Sequence, residues 1–244
     1  MVIFLKKIQK DIEVYTYSKI DSTNAEAIRK IDKVNLPSLF IAKKQTSGRG
    51  RLGRSFYSAN GGLYMTLAIN GEFENLTGLT IMVSVAVVEA IEKLTGIKVG
   101  IKWVNDIYLE DKKICGILCE KVFNKESGEI KAVIIGIGIN LNIKKFPDEI
   151  KDIAGNLPCK HISKTRLAGE IVNQIFDLIE IEQNYIDRYR EKSIMLGKTI
   201  YYNRNSVQNE ATVLDIDDSG GLVVEDINGK VTTLTSGEIS VRFK

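Results

Sequence analysis

The most apolar stretch of this chain, Leu76–Leu94, sets the first constraint on its fold. Leu79, Met82, Val83, Ala86, Val87, Ala90 and Ile91 recur at helical spacing along one face, and such a stripe must be covered by other elements. Glu89, Glu92 and Lys93 interrupt the stretch, so it falls short of the roughly 20 apolar residues that cross a bilayer. The reading is a core helix and a chain without a membrane partner. The N-terminal Met1–Asp11, a five-residue apolar stretch followed by lysines, is too short for a signal sequence.

Around that helix the texture is mixed. Asp21-Ser22-Thr23-Asn24 supplies capping residues before Ala25–Ile28, predicting a short helix there. Ser38–Lys43 and Gly62–Ile69 read as strands on either side of a Gly/Arg loop. Ile97–Trp103, Lys113–Val122 and Ile130–Asn140 read as successive strands, with Asp111-Lys112 and Asn124–Gly128 as turns. A long helix is expected from Thr165 to Arg190, its stripe formed by Leu167, Ile171, Ile175, Leu178, Ile179 and Ile186. After Gly197 five short strand candidates follow at regular spacing: Thr199–Tyr202, Ala211–Ile216, Leu222–Glu225, Val231–Thr235 and Ile239–Phe243. That pattern indicates a small barrel. It would be marginal alone and is expected to pack on the first domain. The boundaries that follow are 1–195 for the first domain and 196–244 for the second.

The 244 residues carry 34 Lys+Arg against 31 Asp+Glu, a net charge of +3. A dedicated nucleic-acid binder is usually more basic, so any cationic patch is local. Three cysteines make an odd count, and Cys115 and Cys119 lie in an apolar run. Reduced thiols in a cytoplasmic protein suit this better than a disulfide framework. With His161 as the one histidine, a His-rich metal centre cannot be built, and no protein metal site is expected.

Lys33–Gly71 contains no acidic residue but holds Lys33, Lys43, Lys44, Arg49, Arg51 and Arg54. At its centre is Gly48-Arg49-Gly50-Arg51-Leu52-Gly53-Arg54. Glycines let backbone N–H groups approach a ligand, and guanidinium forks match carboxylate or phosphate oxygens. The same loop could be a solvated basic turn or could grip RNA. It is neither a Walker loop nor a dinucleotide fingerprint. Lys102-Trp103-Val104-Asn105-Asp106 places polar groups where an apolar strand ends, followed by Lys112-Lys113-Ile114-Cys115-Gly116-Ile117-Leu118. Gly136-Ile137-Gly138-Ile139-Asn140 closes a strand so apolar that Asn140 stands out, its glycines leaving room for a ligand or another backbone.

In this order, with Gln45 and Glu120 added, these segments closely resemble the biotin protein ligases (biotin–[acetyl-CoA-carboxylase] ligases). The likeness extends to Gly237-Glu238-Ile239-Ser240-Val241-Arg242, which resembles that family's closing strand. It implies an α+β fold, a mixed β-sheet with packed helices, followed by an SH3-like β-barrel. It also implies two chemical steps. Biotin and ATP give biotinyl-5′-AMP, from which a lysine of a biotin carboxyl carrier protein domain takes the biotin. ATP and biotin are then substrates, with Mg2+ accompanying the nucleotide.

By the same resemblance, Ser22, Thr23, Asn24, Gln45 and Lys113, with Gly116, line a biotin pocket. Arg49, Gly50 and Arg51 lie over biotin and its carboxylate. Arg51, Arg54 and Lys102 meet the phosphates, Arg51 and Lys102 acting as the catalytic pair. Phe56, Asn105 and Asn140 serve the adenosine end. Three positions depart from the family: Phe56 for a frequent tryptophan, Val104 for a proline, and Cys115 for a small residue. Phe56 keeps an aromatic face of smaller area, and Val104 relaxes a fixed bend. About twenty residues precede Ser22, too few for the winged helix of the regulatory members, so a short form without DNA binding is expected. A lipoate or octanoate ligase of similar fold remains the rival enzyme, and a homodimer is left open.

Overall fold

The computed structural model describes residues 12–71, 73, 75–159, 161–181, 185–204, 207–235 and 240–243. Met1–Asp11 and the first half of the expected closing strand, Gly237–Ile239, lie outside them.

The larger sheet has seven strands: β1 (Glu13–Tyr17), β2 (Ser38–Ala42), β3 (Leu63–Ile69), β4 (Gly100–Lys102), β5 (Asp106–Leu109), β6 (Lys112–Phe123) and β7 (Ile130–Ile139). Their spatial order is β1-β2-β3-β7-β6-β5-β4. β1 pairs with β2 in parallel and the remaining pairs are antiparallel, so the sheet is mixed. Helix α1 (Thr23–Lys30) starts where the Ser22 hydroxyl accepts from the Ala25 N–H. Helix α2 (Leu76–Thr95) starts at Asn75, whose side-chain oxygen takes the N–H groups of Thr77 and Gly78.

Strand alternation divides the sheet into two chemically different faces. On one face Leu63, Met65 and Leu67 of β3, with Ile135, Ile137 and Ile139 of β7, join the main core beneath α2. On the other, Phe40, Ala68 and Ile134 pack with Ala27 of α1 in a smaller cluster. Beyond α1 on this second face the inward positions change to Tyr64, Thr66, Gly116, Gly136 and Gly138, and the face opens into a cleft.

Helix α2 is more deeply enclosed than a one-sided stripe predicts. Every residue from Gly78 to Val88 is buried, because α3 (Lys164–Ile181) and α4 (Tyr185–Lys192) cover the side away from the sheet. Of the long helix expected over Thr165–Arg190, Lys164–Ile181 and Tyr185–Lys192 are helical, and residues 182–184 lie outside the described residues. The two helical segments pack in different places: α3 lies on α2 and β3, whereas α4 touches α2, β4 and the C-terminal sheet.

That second sheet contains β8 (Thr199–Arg204), β9 (Val207–Ile216), β10 (Leu222–Asp226), β11 (Val231–Leu234) and β12 (Ser240–Phe243), in the antiparallel order β11-β10-β9-β8-β12. It is the SH3-like element. Its Asp217–Gly221 turn docks on the first sheet's layer: Trp103 Nε1 donates to Gly220 O, Asn75 Nδ2 to Ser219 O, and Arg190 pairs with Asp218. No helix among the described residues is long and apolar enough to cross a membrane.

Candidate active site

The cleft has a volume of about 730 Å3. Its floor is the end of the β3-β7-β6 ladder, where Gly116 of β6 is paired directly with Gly138 of β7, and Tyr64 of β3 with Gly138. A side chain at Gly138 or Gly116 would press into the Phe56 ring, and one at Gly136 would overlap the Asn24 carboxamide. The glycines thus keep the floor flat enough for an aromatic ring and a carboxamide to lie on it. Phe56 meets Tyr64 edge-on at 6.4 Å between centroids, and Lys113 Nζ stands 5.7 Å from its ring.

The first wall is the N-terminal turn of α1. Ser22, Thr23 and Asn24 are all buried. Ser22 accepts the cap hydrogen bond, leaving its O–H to donate. Gln45 Oε1 accepts from the Thr23 N–H at 2.7 Å and from the Thr23 hydroxyl at 3.0 Å. Gln45 Nε2 then donates to Ser58 Oγ, which donates to Phe56 O. Thr66, fully buried on β3, links this wall to the floor, its hydroxyl lying 2.6 Å from Asn24 Oδ1 and 2.8 Å from Thr23 Oγ1.

The second wall is the arginine loop. Phe56 N–H donates to Gly48 O and Gly50 N–H to Arg54 O, closing a tight hairpin around Arg51–Gly53. Arg49 leaves the loop to pair with Glu120 on β6 at 2.9 Å. Arg51 turns inward and donates to Asn105 Oδ1 at 3.4 Å. Burial lowers the Arg51 pKa, the more so with Arg54 nearby, while Asp106 raises it. Guanidinium is charged at any physiological pH regardless.

The third wall is the hairpin tip Trp103–Asn105 between β4 and β5. Lys102 and Asp106 face one another across the tip as a register pair. The Trp103–Val104 peptide is cis, and Val104 is buried with its carbonyl accepting from Tyr189 Oη. Asp106 carries the Lys113 ammonium at 2.7 Å. Lys102 Nζ stands 5.5 Å from the Tyr108 ring centroid, and burial pushes the Tyr108 phenol up to about 12. Asn140, 4% exposed, caps β7, and its Oδ1 is buried without a hydrogen-bond donor among the described residues.

All fourteen residues singled out from the sequence line this one cleft: Ser22, Thr23, Asn24, Gln45, Arg49, Gly50, Arg51, Arg54, Phe56, Lys102, Asn105, Lys113, Gly116 and Asn140. Sequence reasoning gave no role to Thr66, Ser58 or Asp106, and quoted Glu120 only as part of a motif. Thr66 had a signal: it is the hydroxyl residue of an apolar strand, two positions from Tyr64 and so on the same face. The cysteines stay outside the chemistry. Cys115 points into the core, where burial raises its thiol pKa, and burial pushes Cys119 up to about 12.

A flat-floored cleft with a neutral hydrogen-bonding wall facing a cationic loop suits an enzyme that joins two anionic substrates. Residues 16–140 match the biotin/lipoate A/B protein ligase family, and residues 199–242 match the biotin protein ligase C-terminal domain. The chain belongs to this family and carries both parts. It is 32% identical over 228 residues to the bifunctional ligase/repressor BirA of Bacillus spizizenii, covering 87% of this chain and 70% of that protein. With the biotin–[acetyl-CoA-carboxylase] ligase of Mycobacterium tuberculosis it shares 26% identity, over 89% of this chain and 85% of the relative. Among solved structures, the Aquifex aeolicus biotin protein ligase in complex with biotin and ATP superimposes with a TM-score of 0.82. That match has 29% identity and covers 95% of this chain and 99% of the other.

Proposed function

We propose that the cleft binds biotin beside ATP and that the enzyme is a biotin–[biotin carboxyl carrier protein] ligase. In the first step a biotin carboxylate oxygen attacks the α-phosphorus of ATP. A new C–O–P linkage forms, the bond to the bridging oxygen breaks, and biotinyl-5′-AMP and pyrophosphate result. In the second, the neutral ε-amine of a carrier lysine attacks the anhydride carbonyl. An amide forms, AMP leaves, and the nitrogen gives up its proton.

The observation that carries this reading is the meeting of two kinds of wall in one cleft. Ser22, Thr23, Asn24 and Gln45 offer fixed neutral donors and acceptors, which suit a ureido group. Arg49, Gly50, Lys113 and Gly116 complete the biotin end. Arg51 from the loop and Lys102 from β4 both line the cleft, which suits a carboxylate and an α-phosphate that repel one another until cations neutralise them. Arg54 extends the phosphate site. Phe56, Asn105 and the unsatisfied Asn140 Oδ1 serve the nucleoside. Step one needs no general base, in keeping with a cleft that contains no histidine among its lining residues.

Mg2+ enters with the nucleotide in this reading. Among the described residues no cluster of three acidic, His or Cys groups could cage an ion, while triphosphate oxygens supply hard ligands of their own. The chain divides at 195/196 into ligase and C-terminal domains, the carrier domain is the macromolecular partner, and the reaction is cytoplasmic. DNA is assigned no role in this reading. Incubation with ATP and biotin alone, followed by mass detection, should reveal biotinyl-5′-AMP. Pyrophosphate exchange driven by lipoate but not by biotin would overturn the assignment.

A further inference from the structure

Glu120 lies on the β6 stretch that borders the cleft, facing the arginine loop and α1. Its two carboxylate oxygens have different partners. Oε1 receives Arg49 Nη2 at 2.9 Å, and Oε2 receives Asn24 Nδ2 at 2.8 Å. The first belongs to the arginine loop and the second to the α1 turn, so one side chain spans the two walls. We propose that Glu120 is a positioning residue for the biotin end of the cleft, holding Arg49 and the carboxamide of Asn24 in register at once. The inference rests on the reading of this cleft as the biotin site.

The chemistry of the carboxylate explains why this position takes Glu. An ionised carboxylate only accepts, and both partners here only donate. With its Nδ2 drawn to Glu120, the Asn24 amide must present Oδ1 to the Thr66 hydroxyl, which lies 2.6 Å away. Glu120 therefore fixes which way round Asn24 sits. A glutamine at this position would carry one acceptor and one donor on its terminal amide. In either orientation its NH2 would face a donor, Arg49 or Asn24, and one wall would be released. The Glu120 side chain is 21% exposed, so water screens the pair only in part.

The test compares Glu120→Gln with Glu120→Asp in biotin calorimetry. Gln matches Glu in size but lacks the second acceptor; Asp is shorter but keeps both acceptors and the charge. Glu120→Gln is expected to weaken biotin binding about tenfold, on the scale of one charge-assisted hydrogen bond, and Glu120→Asp less. Its penalty should shrink by about threefold or more when Arg49→Ala is already present, and again in an Asn24→Ala background, as expected for coupled residues. Wild-type affinity in Glu120→Gln, an equal penalty in all three backgrounds, or Asp weaker than Gln would each overturn the proposal. Should Glu120→Gln fail to fold, the Asp variant and its penalty in the Arg49→Ala background decide alone. Absence of biotin binding by the wild-type protein would instead remove the site reading itself.

Discussion

The indole Nε1 of Trp103 donates to the carbonyl oxygen of Gly220 at 2.9 Å. Trp103 directly follows Lys102, and Gly220 sits in the turn before β10, so the second sheet holds the β4–β5 hairpin tip of the first. Trp103→Phe removes the donor and leaves a buried carbonyl unpaired, at a cost of about 1–3 kcal/mol. Urea unfolding should register that loss. Pyrophosphate exchange at saturating biotin should slow while biotin affinity holds. Unchanged exchange in a destabilised variant would limit the bond to a structural role.

Lys102→Ala is expected to impair adenylate formation far more than biotin binding. An ammonium near the α-phosphate acts on charge that develops in the transition state. Removing one such group costs about 2.7–4 kcal/mol on the scale of oxyanion-hole donors. Single-turnover rates together with calorimetry separate the two effects. Collapse of biotin affinity with a surviving rate would move Lys102 to the biotin pocket.

Thr66→Val keeps the shape of a fully buried side chain but deletes the hydroxyl between Thr23 and Asn24. An unsatisfied Asn24 Oδ1 costs about 1–3 kcal/mol. Biotin dissociation should accelerate while far-ultraviolet circular dichroism stays unchanged. Native biotin kinetics would indicate that the two side chains find other partners.

Arg51→Gly removes the guanidinium that bridges loop and hairpin through Asn105 and adds backbone freedom. The mixed anhydride should escape and acylate exposed lysines. With ATP, biotin and an unrelated lysine-rich protein, the variant should label the bystander in proportion to time, and the wild type barely. Labelling confined to the carrier would place containment elsewhere in the loop.

Asp21 offers a pH test. Paired with Arg29 at 2.8 Å, chiefly through hydrogen bonds to that guanidinium, its carboxyl is held down to about 2, against about 3.9 unfolded. The folded pKa is depressed, so the stabilisation is present above pH ~4 and lost as pH falls toward ~2. Both side chains are close to half exposed, which limits the effect to less than about 1 kcal/mol. In Asp21→Asn, acid unfolding between these values should lose that contribution. An identical acid profile would show the pair to be energetically silent.

The sequence makes the central strands legible because their apolar runs are long and uninterrupted. Leu63–Ile69 and Ile130–Ile139 owe their strand form to residues they contain themselves. β1 carries no such signal: Glu13-Val14-Tyr15-Thr16-Tyr17 is a half-polar strand that, among the described residues, pairs only with β2. The four residues of β5 have no period to detect, and its neighbours β4 and β6 define it. The site was legible as motifs in order along the chain. The Arg49–Glu120–Asn24–Thr66 chain was not, since it joins residues on a loop, two strands and a helix that only folding brings together.

Phe56 lies on the paired glycines Gly116 and Gly138, so an apolar ring already covers the flattest part of the cleft. A ligand ring that takes this place exchanges one apolar face for another and removes little water from the floor. The heat-capacity change on binding then under-reports the ligand's apolar area, and the enthalpy carries the cost of swinging a phenyl group aside. The paired glycines thus form a seat with room for a ring, and in this structure Phe56 holds it.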